Sequence, residues 1–218
     1  MPQITPMFAV PFGFAQMPDP EALNRELHAL FLSREKEGTR WANPSPYTIR
    51  NDALFESHFD LFAWPEACVQ TLSAFCHSEL LALVGQLSGY DLPTMRNLEV
   101  QTDAWFHITR SGGHFGMHNH PMASWSGVYC VSPGKHDPAA RDSGRLSFVN
   151  PNSLAGMYLD PANSHLRQPF AFANHGFDLV PGQLVLFPSW VQHYVLPFHG
   201  TGERITVAFN CMFRTRGG

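Results

Sequence analysis

The chain has 218 residues, of which 44% are hydrophobic and 15% charged, so it can bury a sizeable core and is unlike a disordered protein. Its net charge of -4 includes no run of lysine and arginine, which disfavours nucleic-acid binding. The four cysteines show no CxxC spacing, which is typical of reduced, buried thiols and favours a cytoplasmic protein.

The N-terminal segment is apolar but is interrupted by Pro2, Pro6, Pro11 and Pro18. It lacks a basic start and a continuous apolar stretch, so we expect no signal peptide. No run of about 18 apolar residues is present, and we therefore expect no membrane span.

Two helices are predicted in the first half of the chain. Asp19-Pro20 is typical of a helix start, and Gly38 of a helix end. A second helix is predicted over residues 65–86, with Gly89 ending it. Both carry apolar residues at helical spacing and are expected to pack against a sheet. These residues are Leu23, Leu27, Leu30 and Phe31 in the first helix and Val69, Leu72, Cys76, Leu80, Leu83 and Leu87 in the second.

Beyond residue 97 the hydrophobic period changes from helical spacing to two. Many short strands separated by turns indicate an α+β, mainly β chain, built on a jelly-roll or cupin-like barrel with N-terminal flanking helices. We predict a single domain over residues 1–218, with a helical or irregular extension at 1–96 and the jelly-roll core at 97–213. Strands are predicted at 98–108, 126–131, 145–149, 177–180, 183–187 and 204–213, and loops at 133–143 and 150–174.

A histidine pair, His118 and His120, follows a glycine turn and is joined far downstream by His193. Two residues that are two apart on a strand point the same way, so this pair could share one ion. Three neutral imidazoles suit a divalent transition metal such as iron, zinc, copper or nickel. The pattern therefore predicts a three-histidine metal site at the mouth of the barrel.

Arg204 opens the last predicted strand, eleven residues after His193. The period of two places it on one face with Thr206, Ala208 and Asn210, a polar set on an otherwise apolar strand, as expected if that face lines a cavity. A guanidinium beside a metal suits a carboxylate, which it can hold with two parallel hydrogen bonds. The combination suggests an oxygenase with an organic acid as co-substrate.

Taken together, these motifs resemble the 2OG-Fe(II) oxygenase family within the superfamily of 2-oxoglutarate- and Fe(II)-dependent dioxygenases. The resemblance covers roughly residues 97–213, and the first half of the chain adds little to it. It rests on His118-Asn119-His120-Pro121, Trp125-Ser126-Gly127-Val128-Tyr129, Gly144-Arg145-Leu146-Ser147-Phe148, Pro181-Gly182-Gln183-Leu184, Leu186-Phe187-Pro188-Ser189-Trp190, His193 and Glu203-Arg204-Ile205.

The resemblance implies a double-stranded β-helix with Fe(II), 2-oxoglutarate and O2 as cofactor and co-substrates. His118, His120 and His193 would hold the iron, and Arg204 would bind the far carboxylate of 2-oxoglutarate. Oxidative decarboxylation to succinate and CO2 would drive hydroxylation of a small molecule. The superfamily usually has a carboxylate where this chain has His120. Relatives often have a tyrosine at the position of Cys130, a loss for which Tyr129 or Asn210 could compensate.

Two other functions remain open on the sequence. Gly112, His118 and His120 fit the opening of a cupin motif, which would make the chain a three-histidine dioxygenase that does not use 2-oxoglutarate, although the glutamate of that motif is missing. A non-catalytic metal-binding barrel is the third reading. His107 could contact substrate, and His114 is interpreted as a loop residue near the metal. The apolar N-terminus and the strand edges are compatible with a homodimer.

Overall fold

The computed structural model describes residues 1–216, apart from the side chains of Ser153 and Ala155. Two antiparallel sheets form its centre, and the helices lie on one side of the larger sheet. The double-stranded β-helix with flanking helices is thereby confirmed. The helices are α1 (Pro20–Lys36), α2 (Ala67–Ser88) and α3 (Leu92–Arg96).

The two predicted helices are present close to their expected bounds. α1 begins directly after Asp19, which takes a left-handed conformation with φ of 44°. α2 runs two residues past its predicted end, and Gly89 follows it with φ of 65°, a conformation that suits glycine and terminates helices. α2 is also long and apolar enough to cross a membrane by length and composition. Its apolar stripe instead packs in the core against the sheet.

The strands divide between a six-stranded sheet, in the order β1-β8-β5-β10-β3-β2, and a four-stranded sheet, in the order β4-β9-β6-β7. β1 and β2 come from the first 96 residues, so the N-terminal extension contributes both edges of the larger sheet. The strands are β1 (Gly13–Gln16), β2 (Leu54–Glu56), β3 (Leu98–Thr109), β4 (Phe115–His118), β5 (Trp125–His136), β6 (Leu146–Phe148), β7 (His175–Phe177), β8 (Gln183–Pro188), β9 (His193–Val195) and β10 (Gly200–Thr215).

Most strand predictions are confirmed, with three kinds of correction. The loop predicted at 133–143 is wrong in its first part, because β5 continues to His136 and pairs with Gly200 of β10. The strand predicted at 177–180 lies earlier, at His175–Phe177. The short strands β1, β2, β4 and β9 were not predicted, because three or four residues are too few to show a period of two.

Buried side chains form two layers on opposite faces of the larger sheet. The outer layer joins this sheet to the helices, and in it the Phe31 ring of α1 stacks on the Phe106 ring of β3 at 4.1 Å. The inner layer lies between the two sheets and includes Trp105, Phe148 and Phe187. A residue on a central strand therefore faces either the helices or the space between the sheets. This orientation decides which polar residues can take part in a site.

Candidate metal centre

Three histidines meet where the smaller sheet opens. His118 ends β4, and His193 begins β9 as its direct register partner. His120 lies just beyond β4, where its backbone N–H donates to the carbonyl of Ser189 at 2.9 Å. The antiparallel pairing of β4 and β9 thus brings together residues that are 75 positions apart.

The histidine rings are close enough to share one ion. The ring centroids of His118 and His193 are 4.3 Å apart, those of His118 and His120 are 4.9 Å apart, and those of His120 and His193 are 5.1 Å apart. One ring nitrogen from each residue lies within 4.8 Å of the other two. His114 is outside this group. The structure therefore brings together the three residues that the sequence predicted as metal ligands.

Backbone carbonyls fix the orientation of two of the rings. The Nδ1 of His118 donates to the carbonyl of Gly116 at 2.8 Å, and the Nδ1 of His193 donates to the carbonyl of Val191 at 3.0 Å. With Nδ1 protonated, the lone pair of a neutral imidazole is at Nε2, where a metal can accept it. Such carbonyl contacts are the usual support for histidine ligands.

The surroundings keep the imidazoles neutral. Burial and the nearby histidines lower the pKa of His120 to about 3. Burial also lowers the pKa of His118, and together with the neighbouring His118 it holds the pKa of His193 well below its ordinary value. Neutral nitrogen donors at physiological pH are what a divalent metal needs, because a metal must otherwise displace a proton.

The same cavity holds the three histidines and Arg204. The polar residues His107, Ser126 and Thr206 also line it. Arg204 is 4% exposed, and its guanidinium forms no hydrogen bond or ion pair with any residue that the structure describes. A buried cation without an anionic partner is costly. An anion bound at Arg204 would offset this cost.

Cys130 does not supply that anion. Its register partner is Thr206, and it belongs to the layer between the sheets. Burial raises the pKa of the Cys130 thiol to about 12, so it is neutral at physiological pH. Gly144 leaves room beside the Arg204 side chain, since a Cβ at that position would come within 3.0 Å of its Cδ.

The predicted contact of Tyr129 with the co-substrate requires correction. Tyr129 is fully buried in the layer between the larger sheet and the helices, and its hydroxyl donates to Oδ1 of Asn24 in α1 at 2.8 Å. Neighbouring residues of a strand point to opposite faces, so Tyr129 faces away from the cavity that Cys130 faces. The structure does not bring Tyr129 into the site.

Asn210 lies on the predicted face but far from Arg204. The two are six positions apart, roughly 20 Å along an extended strand at about 3.3 Å per residue. The Oδ1 of Asn210 accepts a hydrogen bond from the Ser126 hydroxyl at 2.7 Å, and that hydroxyl also lies 2.8 Å from the hydroxyl of Ser189. Asn210 is not among the residues that line the cavity, and it is too far along the strand to bind the same carboxylate as Arg204.

A buried polar network behind His107 was missed by the sequence analysis. The Glu56 carboxylate accepts hydrogen bonds from Asn43 at 2.6 Å and Arg50 at 2.8 Å. Its other oxygen lies 2.9 Å from Nε2 of His107. Burial alone would raise the pKa of Glu56, but the hydrogen bonds with His107 and Asn43 and the positive charge of Arg50 lower it, so the carboxylate is ionised.

This ionised carboxylate decides the role of His107 Nε2. Trp105 Nε1 also lies 3.1 Å from that nitrogen, which cannot donate to Glu56 and accept from Trp105 at once. An ionised carboxylate only accepts, so Nε2 carries the proton and donates it to Glu56. Glu56 sits in the three-residue strand β2, which has no sequence signal, whereas the alternation of β3 did place His107 on its polar face.

Comparison with known proteins matches the site to one family. Residues 103–210 match the model of the family described as "Putative 2OG-Fe(II) oxygenase", a span that contains all three histidines and Arg204. This chain belongs to that family. It is therefore related to enzymes that use Fe(II) and 2-oxoglutarate. No protein with curated annotation is detectably similar in sequence to this oxygenase.

Solved structures resemble this oxygenase over nearly its whole length. A prolyl-4-hydroxylase from Pseudomonas putida is 25% identical, with a TM-score of 0.61 and coverage of 95% of this chain and 94% of that one. A prolyl hydroxylase from Trichoplax adhaerens, in complex with a peptide of hypoxia inducible factor, is 13% identical, with a TM-score of 0.58 and coverage of 92% and 83%. HygX from Streptomyces hygroscopicus, with nickel and 2-oxoglutarate bound, is 12% identical, with a TM-score of 0.55 and coverage of 93% and 83%.

The donor set of this oxygenase fits a divalent transition metal. Imidazole nitrogen suits iron, nickel and zinc alike, and the two carbonyl-supported rings have the tautomer that metal binding requires. The position of His120 sets the chain apart, because the facial triad of this enzyme class has two histidines and a carboxylate. Three neutral ligands leave the full charge of the ion uncompensated by the protein.

Proposed function

We propose that the chain is a 2-oxoglutarate- and Fe(II)-dependent dioxygenase that hydroxylates a small molecule. The observation that carries this proposal is the buried Arg204 guanidinium, which lacks an anionic partner among the described residues and shares a cavity with three convergent histidines. A dicarboxylic acid bridging the two would satisfy both ends of the cavity. Family membership supports the same assignment.

His118, His120 and His193 would hold the ferrous ion through their free ring nitrogens. Arg204 would bind the far carboxylate of 2-oxoglutarate with two parallel hydrogen bonds, a geometry that lysine cannot reproduce. When bound, the iron and the keto acid supply the oxidising chemistry. The apolar side chains of Phe187, Val128 and Leu146 restrict water in the cavity, which strengthens the contact of the guanidinium with its carboxylate.

The lining of the cavity supports a small primary substrate. It is mainly apolar with a few polar side chains, as small-molecule sites usually are. The similarity to a prolyl-4-hydroxylase over 94% of that chain favours a proline-containing substrate as a second candidate. Incubation with free proline and with a proline-containing peptide, followed by mass spectrometry for a gain of one oxygen atom, tests this second candidate.

The experiment that tests the proposal is a turnover assay with Fe(II), ascorbate and 2-oxoglutarate, measuring succinate and O2 uptake. We expect turnover in the wild type. The Arg204→Met variant should bind 2-oxoglutarate roughly 100-fold more weakly, from the loss of hydrogen bonds to a charged group. Arg96→Met is the matched control, because Arg96 is exposed and remote from the cavity.

Absence of succinate formation together with an unchanged Arg204→Met variant would overturn the proposal. Oxygen uptake with candidate thiols in the absence of 2-oxoglutarate would instead favour the three-histidine cupin-type dioxygenase. Tight zinc or nickel binding without oxygen uptake would favour the metal-binding barrel.

We further propose that the protein acts in the cytoplasm. All four cysteines are buried and unpaired, which is compatible with a reducing compartment. The homodimer, the absence of a membrane association and the division at residue 96 stay predictions.

A further inference from the structure

The direction of the Arg204 side chain in the cavity depends on packing. Its guanidinium forms no hydrogen bond or ion pair with any residue that the structure describes, so no polar contact orients it. An arginine side chain without such contacts can take several rotamers, because its aliphatic bonds each have three staggered positions. The residues that contact its aliphatic part therefore decide where its five N–H donors point.

Gly144 forms one side of the space that the Arg204 side chain occupies. A Cβ at position 144 would lie 3.0 Å from Cδ and 3.2 Å from Nε of Arg204. It would also lie 3.2 Å from Cδ2 of Phe198, whose side chain is fully buried. These distances are shorter than the optimal separation of carbon atoms in contact, about 3.5–4.0 Å. Any larger residue at position 144 would therefore press on Arg204 and Phe198.

Hydrogen bonds hold Gly144 against the turn between β9 and β10. Its N–H donates to the carbonyl of Pro197 at 3.1 Å, and the N–H of Leu196 donates to the carbonyl of Arg145 at 3.1 Å. Phe198 belongs to the same turn. The turn and the segment of Gly144 therefore cannot separate without breaking these bonds.

The partly exposed Arg145 fixes the same segment from its other side. Its guanidinium donates two hydrogen bonds to the Asp178 carboxylate, at 2.9 Å from Nε and 2.6 Å from Nη2, and one to Asp142 at 2.6 Å. Two parallel hydrogen bonds to one carboxylate define the geometry of both partners. Gly144, next to Arg145, is therefore a fixed boundary for the Arg204 side chain.

We propose that Gly144 is a positioning residue for co-substrate binding, and that it acts by directing the guanidinium of Arg204 into the cavity. Gly144 is not among the residues that line the cavity, so its effect must pass through Arg204. The inference rests on the proposed function, in which Arg204 binds the far carboxylate of 2-oxoglutarate. It also accounts for the first two residues of the motif Gly144-Arg145-Leu146-Ser147-Phe148.

The backbone of Gly144 requires a matched control. Its φ is 62°, a left-handed conformation that favours glycine whatever lies next to it. Gly38 has a φ of 63°, and a Cβ there would meet no atom within 4 Å. Gly38→Ala therefore reproduces the backbone strain of Gly144→Ala without any contact with Arg204.

The test measures the affinity of the nickel(II)-loaded protein for 2-oxoglutarate and for 2-oxobutyrate by isothermal titration calorimetry. The two keto acids share the group that would bind the metal, but 2-oxobutyrate lacks the far carboxylate. We expect Gly144→Ala to bind 2-oxoglutarate at least about fivefold more weakly than the wild type. Its affinity for 2-oxobutyrate should equal that of the wild type, and Gly38→Ala should bind both keto acids like the wild type.

A double-mutant cycle shows whether Gly144 acts through Arg204. In the Arg204→Met background, Gly144→Ala should cause no further loss of affinity for 2-oxoglutarate. Additive losses, an unchanged affinity in Gly144→Ala, or an equal loss for both keto acids would overturn the inference. If Gly144→Ala does not fold, Arg145→Met replaces it in the cycle, because it releases the same segment from Asp178 and Asp142. An unchanged affinity for 2-oxoglutarate in Arg145→Met would then overturn the inference.

Failure of the proposed function can be distinguished from failure of this inference. If the wild type does not bind 2-oxoglutarate, the proposed function fails, but nitrogen-15 NMR of the Arg204 Nε–H group still tests the contact. Its resonance is identified by its absence from Arg204→Met. Gly144→Ala should shift this resonance and Gly38→Ala should not. An unshifted resonance in Gly144→Ala would show that Gly144 does not position Arg204.

Discussion

At the scale of single residues, the metal centre depends on which polar side-chain atoms have a hydrogen-bonding or ionic partner and which do not. His118 and His193 are oriented by backbone carbonyls, and Arg204 lacks an anionic partner among the described residues. Glu56 has three partners that keep it ionised. Each contact predicts the outcome of one substitution.

The Glu56 network should make stability depend on pH. The pKa of Glu56 is lowered in the folded protein, so its ionised form stabilises the fold above its unfolded pKa, and that contribution is lost as the pH falls through the folded pKa. We expect Glu56→Gln to reduce the free energy of unfolding by about 2 kcal/mol at pH 7. The difference from the wild type should shrink below pH 4.5. Urea unfolding at several pH values measures it, and a difference that grows toward low pH would contradict the account.

Tyr129→Phe should separate stability from co-substrate binding. The variant removes the hydrogen bond to Asn24 and should lower the free energy of unfolding by about 1 kcal/mol. Because Tyr129 faces the helices, the affinity for 2-oxoglutarate should not change. Isothermal titration of both proteins checks this, and a marked loss of affinity would restore Tyr129 to the site.

The metal ligands could be predicted from the sequence, and their supporting residues could not. The spacing of His118 and His120, with His193 and Arg204 downstream, indicated all four residues of the cavity, although His120 lies just beyond β4 and not on the strand that a period of two assumes. The same rule excludes Tyr129, which is adjacent to the cavity-facing Cys130. Glu56 and Arg50 support His107 from a three-residue strand and a loop, where no periodicity indicates which way a side chain points.

At the scale of elements, the long strands β3, β5 and β10 form a rigid wall behind the metal centre. Gly127 is the third residue of β5, and a Cβ at this position would overlap the Phe209 ring of β10. β5 therefore needs glycine there for the two strands to pack closely. Phe209 also contacts the Phe62 ring, with centroids 5.5 Å apart, so the effect reaches the layer under the helices.

Gly127→Ala should therefore destabilise the protein by about 1–3 kcal/mol through overpacking. Gly156→Ala is the control, since a Cβ there would meet no atom within 4 Å. That substitution should stay within about 0.5 kcal/mol of the wild type. Thermal unfolding compares the two, and equal effects would contradict the packing described for β5 and β10.

Most helices and strands could be predicted, because the hydrophobic period of a long segment indicates whether it forms a helix or a strand. α1, α2, β3 and β10 all lie close to their predicted bounds. β1, β2, β4 and β9 were missed because their pairing partners, rather than their own sequences, make them strands. β4 and β9 carry His118 and His193, so the site was predicted without knowledge of the strands that position it.

At the scale of the whole molecule, the metal should act as a stabilising ligand of the folded state. Its ligands come from β4, the loop after it and β9, which converge only in the folded chain. A ligand at about 100 times its Kd stabilises by about 2.7 kcal/mol. For a chain of this size we expect nickel(II) to raise Tm by roughly 5–10 °C. His193→Ala should abolish the shift, whereas His165→Ala, at an exposed site, should retain it.

An anaerobic titration of the Fe(II)-loaded protein with 2-oxoglutarate, followed by visible absorption, tests the metal and the co-substrate together. We expect a charge-transfer band that saturates at one equivalent of keto acid, is absent from His118→Ala, and requires far more 2-oxoglutarate in Arg204→Met. A wild-type protein that binds iron but shows no band at any concentration of 2-oxoglutarate would contradict the central claim that three histidines and Arg204 form one co-substrate site.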